Sequence, residues 1–359
     1  MTNQGRSHLN WVVLLVLVAT LSFVSCTGTP EAEVVETPET ESEQVEPTEV
    51  PAEPVTEEPI QIAFFAPQAN TYVAATYQGI QDVAEREGAE VTFFDTGFDA
   101  TKEYNQIQDA ITQEKFDAFI VIPLDQVLLV PVVEEAIAAG IEVVNTDLVL
   151  GPDPETYQPQ VEGQAGTVLI PASDRAKYRF EQVVETCQDL DPCNVGWIGT
   201  IATVDYEKQI VGGLEALETE NPNIHVVSYQ DTGGFDAEPA IGVAQDMLLA
   251  HPEINVLSTS GEQLMFGAEQ AVQEAGRDDI RLISQGASCP GMEAVAEGRW
   301  HGTTIDAPYT EGEVGAELAI QAVRGELDGP TGVHAAEAAG AGPLFWQDNV
   351  DTYECQWEG

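Results

Sequence analysis

Side chains able to hold a small hydroxylated molecule recur at one kind of position in this chain, the carboxyl-terminal end of an apolar run. Asn70 and Tyr72 follow the run Gln61–Ala66, and Asp147 follows Ile141–Asn145. Asp205 with Lys208, then Phe235, then Gly261-Glu262 follow later runs, and Asp306 closes the segment GTTID. A carboxylate can accept hydrogen bonds from two neighbouring hydroxyls, an amide both donates and accepts, and an aromatic ring covers the apolar face of a polyol. Each residue also has an ordinary structural use. Asn70 can cap the helix that follows it, Tyr72 can be core, and Asp147 and Asp306 can be turn residues. Lys208 can be a surface ion pair, and Phe235, which follows Gly233-Gly234, can pack a loop. The recurrence at strand ends, rather than any one residue, carries the expectation of a binding site.

Signatures of catalysis are missing from the sequence. It has no G-x-S-x-G, no phosphate-binding P-loop, no H-E-x-x-H and no dinucleotide fingerprint G-x-G-x-x-G. Carboxylates are so common that no pair of them marks a glycosidase. There is no C-x-x-C, and His225, His251, His301 and His334 are scattered, which argues against zinc. The expectation is a binder and not an enzyme, with no cofactor and no metal.

The elements that must position these side chains follow from the patterning. From Ile60 onward short apolar runs alternate with amphipathic stretches. Gln61–Ala66, Glu90–Asp95, Asp117–Ile122 and Ile141–Asn145 read as strands. Val73, Tyr77, Ile80 and Ala84 fall on one helical face ending near Gly88, and Tyr104, Ile107 and Ile111 mark another helix. After a Gly-, Pro- and Gln-rich loop over 151–166 the alternation restarts, with strands at Val195–Gly199, Ile224–Tyr229, Val256–Ser258, Arg281–Ser284 and Gly302–Ile305. Strands apolar throughout and separated by helices imply parallel sheets covered on both faces. The fold class is α/β, with two doubly wound, Rossmann-like lobes side by side and a ligand cleft at the carboxyl ends of their strands.

Composition places this body outside the cytoplasm. Residues 1–25 carry Arg6 and His8, an apolar run from Trp11 to Val18, and a small-residue stretch reaching Ser25-Cys26. That order reads as a lipoprotein signal peptide with lipidation at Cys26, and the run is too short for a membrane span. Residues 26–59 form an acidic Pro/Thr-rich linker, with eleven acids between Glu31 and Glu58, extended by its own charge and prolines. The whole chain has 62 acids against 12 bases, a net charge of −50, which repels nucleic acid and suits a saline habitat. With Cys26 acylated, four of the five cysteines remain for disulfides in an oxidising compartment. Cys187 and Cys193 span a short turn that can close locally, which leaves Cys289 with Cys355; other pairings stay open.

The chain resembles the type I periplasmic binding proteins, above all the ribose- and other sugar-binding proteins of ABC importers. The stretches that carry the likeness are IAFFAPQANTYVAATYQGIQDVAEREGAEV, DAFIVIPLD, GIEVVNTD, ASD at Ala172–Asp174, GGFDAEPAIGVAQDMLLAHPEINVL, FGAEQAVQEAG and LFWQDNVDTY. The resemblance implies two lobes joined by a three-segment hinge, with crossovers near Ser173, Asp306 and Gly342. An N-terminal lobe would comprise 60–173 plus 307–341, and a C-terminal lobe 174–306 plus 342–359, with both disulfides in the latter.

By the same resemblance Asn70 and Tyr72 match a sugar-binding amide and a stacking ring, and Asp147 matches the ligand carboxylate. Lys208 stands where Arg is usual, Phe235 matches the second lobe's ring, and Asp306 falls where Gln is typical. Leu148 replaces an expected Arg, Glu262 stands beside the place of an expected Asn, and Gly286 replaces an expected Asp. These changed anchors imply a ligand other than ribose. The function implied is a monomeric, lipid-anchored, extracytoplasmic protein that delivers a sugar or polyol to an ABC permease. The alternatives are a ligand-binding partner of a chemoreceptor or sensor kinase, and a binder of a nucleoside or other non-sugar molecule. The surplus of acids around the expected site favours a neutral or cationic ligand.

Overall fold

A computed structural model of the protein describes residues 58–67 and 70–359. The leader, Cys26 and the acidic linker therefore lie outside the described residues. In the first half β1 (Gln61–Ala66), α1 (Thr71–Glu87), β2 (Glu90–Asp95), α2 (Ala100–Thr112), β3 (Ala118–Val121), α3 (Val130–Ala138), β4 (Glu142–Thr146) and β5 (Gly166–Leu169) follow one another. After α4 (Ala172–Thr186) come β6 (Cys193–Gly199), α5 (Asp205–Glu220), β7 (Ile224–Asp231), α6 (Ala237–Ala250), β8 (Val256–Thr259), α7 (Glu262–Glu274), β9 (Arg281–Gly286), α8 (Cys289–Ala296) and β10 (Gly302–Ile305). The chain closes with α9 (Pro308–Val323), β11 (Thr331–His334), α10 (Ala335–Ala338), β12 (Leu344–Trp346) and a single 3-10 turn at Val350–Thr352.

These strands form two six-stranded sheets, ordered β11-β5-β4-β3-β1-β2 and β12-β10-β9-β8-β6-β7. Every pairing is parallel except β10 with β12. The expected fold class is the observed one: two doubly wound lobes, between which the chain passes three times, after β5, after β10 and after β11. β1 shows why such strands are apolar throughout. Ile62, Phe64 and Ala66 join one buried cluster while Ala63 and Phe65 join another, because alternate residues face opposite sides of a sheet that helices cover on both faces.

Helix α1 begins where Asn70 accepts a hydrogen bond from the Val73 backbone N–H (2.9 Å) and ends at Gly88 in the left-handed region, φ +72°. Helix α9, which follows the second crossing, returns to lie against α1 and the first sheet. The two helices approach so closely that a Cβ added at Gly312 would sit 1.9 Å from the Thr76 carbonyl oxygen. Three strands, β5, β11 and β12, had no counterpart in the sequence reading; all are short, and β11 and β12 are sheet edges. Cys187 is bonded to Cys193, and Cys289 to Cys355.

Candidate ligand-binding site

Five polar side chains meet where the two sheets face one another, and each is carried there by the end of a strand or the first turn of a helix. Asp147 lies just past β4 with φ +62°, a left-handed conformation that Asp adopts more readily than most residues. Tyr72 is in the first turn of α1, Arg175 in that of α4 and Glu311 in that of α9. Asp306 immediately follows β10. Loops and helix starts at strand ends are where an α/β sheet exposes side chains to a cleft.

Arg175 is the centre of the group. Its Nη2 lies 2.8 Å from Asp147 Oδ1, its Nη1 2.5 Å from Asp306 Oδ1, and its Nε donates to the Ile170 carbonyl at 3.3 Å. Asp147 belongs to the first sheet's loops and Asp306 to the second's, so one planar guanidinium spans the two lobes. Gln285 Nε2 adds a donor to Asp306 Oδ2 at 3.3 Å. The Tyr72 hydroxyl lies 3.0 Å from Asp147 Oδ1 and 2.8 Å from Glu311 Oε2.

Burial and two nearby carboxylates hold the Tyr72 phenol well above its ordinary value, so it keeps its single proton. One proton cannot serve two carboxylates. Glu311 is fully buried, and burial followed by the charge of Asp147 pushes its carboxyl well up. With a proton on Glu311 that carboxyl donates to the Tyr72 oxygen while Tyr72 donates to Asp147; without it Tyr72 donates to Glu311, whose Oε1 lies 3.7 Å from Arg175 Nη2. Asp306 is also pushed up by burial, opposed by Arg175. The site thus has more carboxylates than cations, which suits hydroxyl donors and works against an anionic ligand.

A narrow crevice with a cavity volume of only about 10 Å³ opens beside this cluster, lined by Asp147, Leu148, Arg175, Asp205 and Tyr206 among others. Tyr206 bonds Thr200 Oγ1 at 3.0 Å, and its ring centroid is 6.0 Å from the Arg175 guanidinium carbon. Gln209 of α5 also donates to Glu155 of the first lobe.

The expected site residues separate into groups. Tyr72, Asp147 and Asp306 come together through Arg175. Asn70, at the mouth of the same loop, has its side-chain oxygen engaged as the cap of α1. Phe235 lies beside Gly261 and packs on the second lobe's cluster around Trp197. Lys208 is an exposed partner of Asp205 at 2.8 Å. Glu262 is fully buried inside the second lobe, accepting from the Ser288 N–H (2.7 Å) and Thr303 Oγ1 (3.0 Å); it does not join the cluster. Among the described residues no group of three or more His, Cys, Asp or Glu side chains is placed to hold a metal ion.

Sequence reasoning missed Arg175, Glu311, Tyr206 and Trp357. A usable signal existed for the first. In a chain with only 12 bases, Arg175 and Arg179 fall one turn apart on the same face as Ala172, Ala176 and Val183, the buried face of α4.

Comparison with known proteins gives a consistent result. A family model described as a periplasmic binding protein domain matches residues 62–327. The ribose import binding protein of Bacillus subtilis is 23% identical over 264 residues, spanning 72% of this chain and 79% of that protein. The xylitol-binding protein of Mycolicibacterium smegmatis is 22% identical over 285 residues, spanning 79% of this chain and 76% of that one. Among solved structures, an ABC transporter solute binding protein from Bacillus halodurans with bound myo-inositol has a TM-score of 0.71 at 18% identity, covering 83% of this chain and 98% of its own.

Proposed function

The chain belongs to the periplasmic binding protein family, and from that premise we propose that it captures a neutral sugar or polyol between its lobes and presents it to an ABC permease. The observation that carries this reading is the convergence of Asp147 and Asp306, from the strand ends of different sheets, on one buried guanidinium beside the rings of Tyr72 and Tyr206. Carboxylates charged by an internal cation, with rings at their side, bind hydroxyls in several directions at once. The named cargoes of the relatives and of the structural neighbour, ribose, xylitol and myo-inositol, are all polyhydroxylated.

The mechanism is hinge closure. A solute that touches both lobes binds the closed form more tightly and shifts the population toward it, and the closed form is what a permease would recognise. Lipidation at Cys26 would hold the body outside the membrane, the extracytoplasmic side that the family implies, with the acidic linker as spacer. Partition of the full-length protein into detergent, lost in Cys26→Ala, tests the anchor.

A panel of sugars, polyols and nucleosides tests the cargo by thermal shift. Saturating ligand at a hundredfold excess over Kd stabilises the chain by about 2.7 kcal/mol. A panel that leaves the melting temperature unmoved removes the reading.

A further inference from the structure

The segment after the last 3-10 turn runs across both lobes. Cys355 is tied to Cys289 at the start of α8, and the Cys289 N–H donates to the Trp357 carbonyl at 2.7 Å. Gln356 exchanges hydrogen bonds with Thr310 of α9, 3.1 Å to the backbone N–H and 2.6 Å to Oγ1. Thr71 Oγ1, in α1, donates to the Gly359 carbonyl at 2.5 Å. The tail is thereby fixed to the first lobe at two helices and to the second at a disulfide.

This segment carries two large rings, Tyr353, which stacks on Phe345, and Trp357. Trp357 is buried, and its ring meets that of Tyr72 edge-on, centroids 5.7 Å apart at 76°. On the other side it lies against Gly286, the last residue of β9. That strand end carries no side chain: Gly286 has φ +153°, and a Cβ built there would be 2.9 Å from the indole Cζ2. The indole and Glu262, whose Cβ and Oε2 would each lie 2.8 Å from that Cβ, together fill the volume that a side chain at 286 would have claimed. Its Nε1–H is already donated to the Gly286 carbonyl at 2.9 Å. Indole has no other polar hydrogen, so the rest of the Trp357 ring offers carbon only.

We propose that Trp357 forms one wall of the ligand site and sets its specificity, covering a bare C–H or methyl face of the bound solute. The inference rests on the solute-binding reading above. The ligand class it names is a polyol or sugar with hydroxyls at one end, for Asp147 and Asp306, and a deoxy or methyl-bearing end against the indole. A ring that covers such a face contributes about tenfold in affinity.

The test is calorimetric titration of wild-type protein, Trp357→Ala and Trp357→Leu with D-fucose against D-galactose and L-rhamnose against L-mannose. These pairs differ by methyl against hydroxymethyl. Wild type is expected to favour the methyl member of a pair about tenfold, and both variants to narrow that ratio toward one. Trp357→Leu keeps part of the volume filled and carries the test if Trp357→Ala does not fold. General loosening of the fold would weaken both members alike, so an unchanged ratio in a variant overturns the proposal. Wild type that binds none of the four sugars, or prefers the hydroxymethyl members, overturns it too. If some other sugar or polyol still raises the melting temperature, the solute-binding reading survives that failure; if none does, both fall.

Discussion

Arg175 and Asp147 meet at 2.8 Å although the backbone between them forms β5 and crosses to the other sheet. Arg175 is 6% exposed and Asp147 19%, so their attraction is little screened by solvent. The pair therefore reports on how the lobes sit together, because Asp147 follows the first sheet's strands while Arg175 and Asp306 sit with the second's. Removing one partner of a buried pair leaves the other desolvated and unmatched, which costs about 3–5 kcal/mol. Arg175→Met should destabilise by that order in urea unfolding. Combining it with Asp306→Asn should recover part of the loss, because the double variant leaves fewer buried charges unpaired.

Asp147→Ala should keep the fold and lose closure. Its carboxylate links Tyr72 in the first lobe to Arg175 in the second, while Arg175 retains Asp306. Small-angle scattering of this variant should show no ligand-induced compaction with a sugar or polyol that compacts the wild type. Compaction equal to wild type would remove Asp147 from the site.

Tyr72→Phe isolates the phenol. The ring and its contact with Trp357 remain, but Glu311 loses its only side-chain hydrogen bond at Oε2. An unsatisfied buried carboxyl costs about 1–3 kcal/mol. Tyr72→Phe should therefore lower stability by that order in urea unfolding, and Tyr72→Phe combined with Glu311→Met should regain most of it.

Two buried carboxyls outside the Arg175 cluster give the protein a pH-dependent stability. Burial pushes Glu262 up to about 7 and Glu103 up to about 8, both from an ordinary 4.5. Glu103 accepts one hydrogen bond, from the Leu124 N–H, and its Oε1 has no partner. Because the folded values lie above the unfolded one, the folded chain holds these protons longer. Their contribution is largest below pH 4.5 and falls as pH rises, to about 7 for Glu262 and about 8 for Glu103, then levels. Each group contributes a slope of up to about 1.4 kcal/mol per pH unit. Glu103→Gln should flatten the stability profile between those limits and raise the melting temperature at pH 8. A variant profile parallel to wild type would show that Glu103 is ionised throughout.

The strands nearest the middle of each sheet were legible because both their faces are buried. Gln61–Ala66 and Gly302–Ile305 lie at the residues the apolar runs define, and the edge strand Glu90–Asp95 was legible as well because it keeps the apolar pair Phe93-Phe94. Strands β11 (TGVH) and β12 (LFW) lie at sheet edges, where partial exposure admits polar residues and shortens the run. β5 (GTVL) adjoins a polar loop and was absorbed into it. In the site, Tyr72, Asp147 and Asp306 were legible because each sits at the end of a readable strand.

Arg175 and Glu311 were not, since each lies inside a helix whose polar residues ordinarily face water. For Arg175 the helical face it shares with Arg179, Ala172, Ala176 and Val183 was the one available signal, while only the tertiary structure shows that Glu311 faces inward. Trp357 carried no periodic signal at all, because its position is set by Cys355 and Gly286 rather than by a helix or strand.

The threefold passage of the chain between the sheets means that no single cut yields either half as a continuous polypeptide. A fragment ending near residue 170 would lack β11, which pairs with β5 from Thr331 to His334, and would lack the cover of α9. Its β5 would then be a bare apolar margin open to pairing with other chains. Expression of the first half alone should yield aggregates, and coexpression with a second polypeptide carrying 307–341 should restore soluble material.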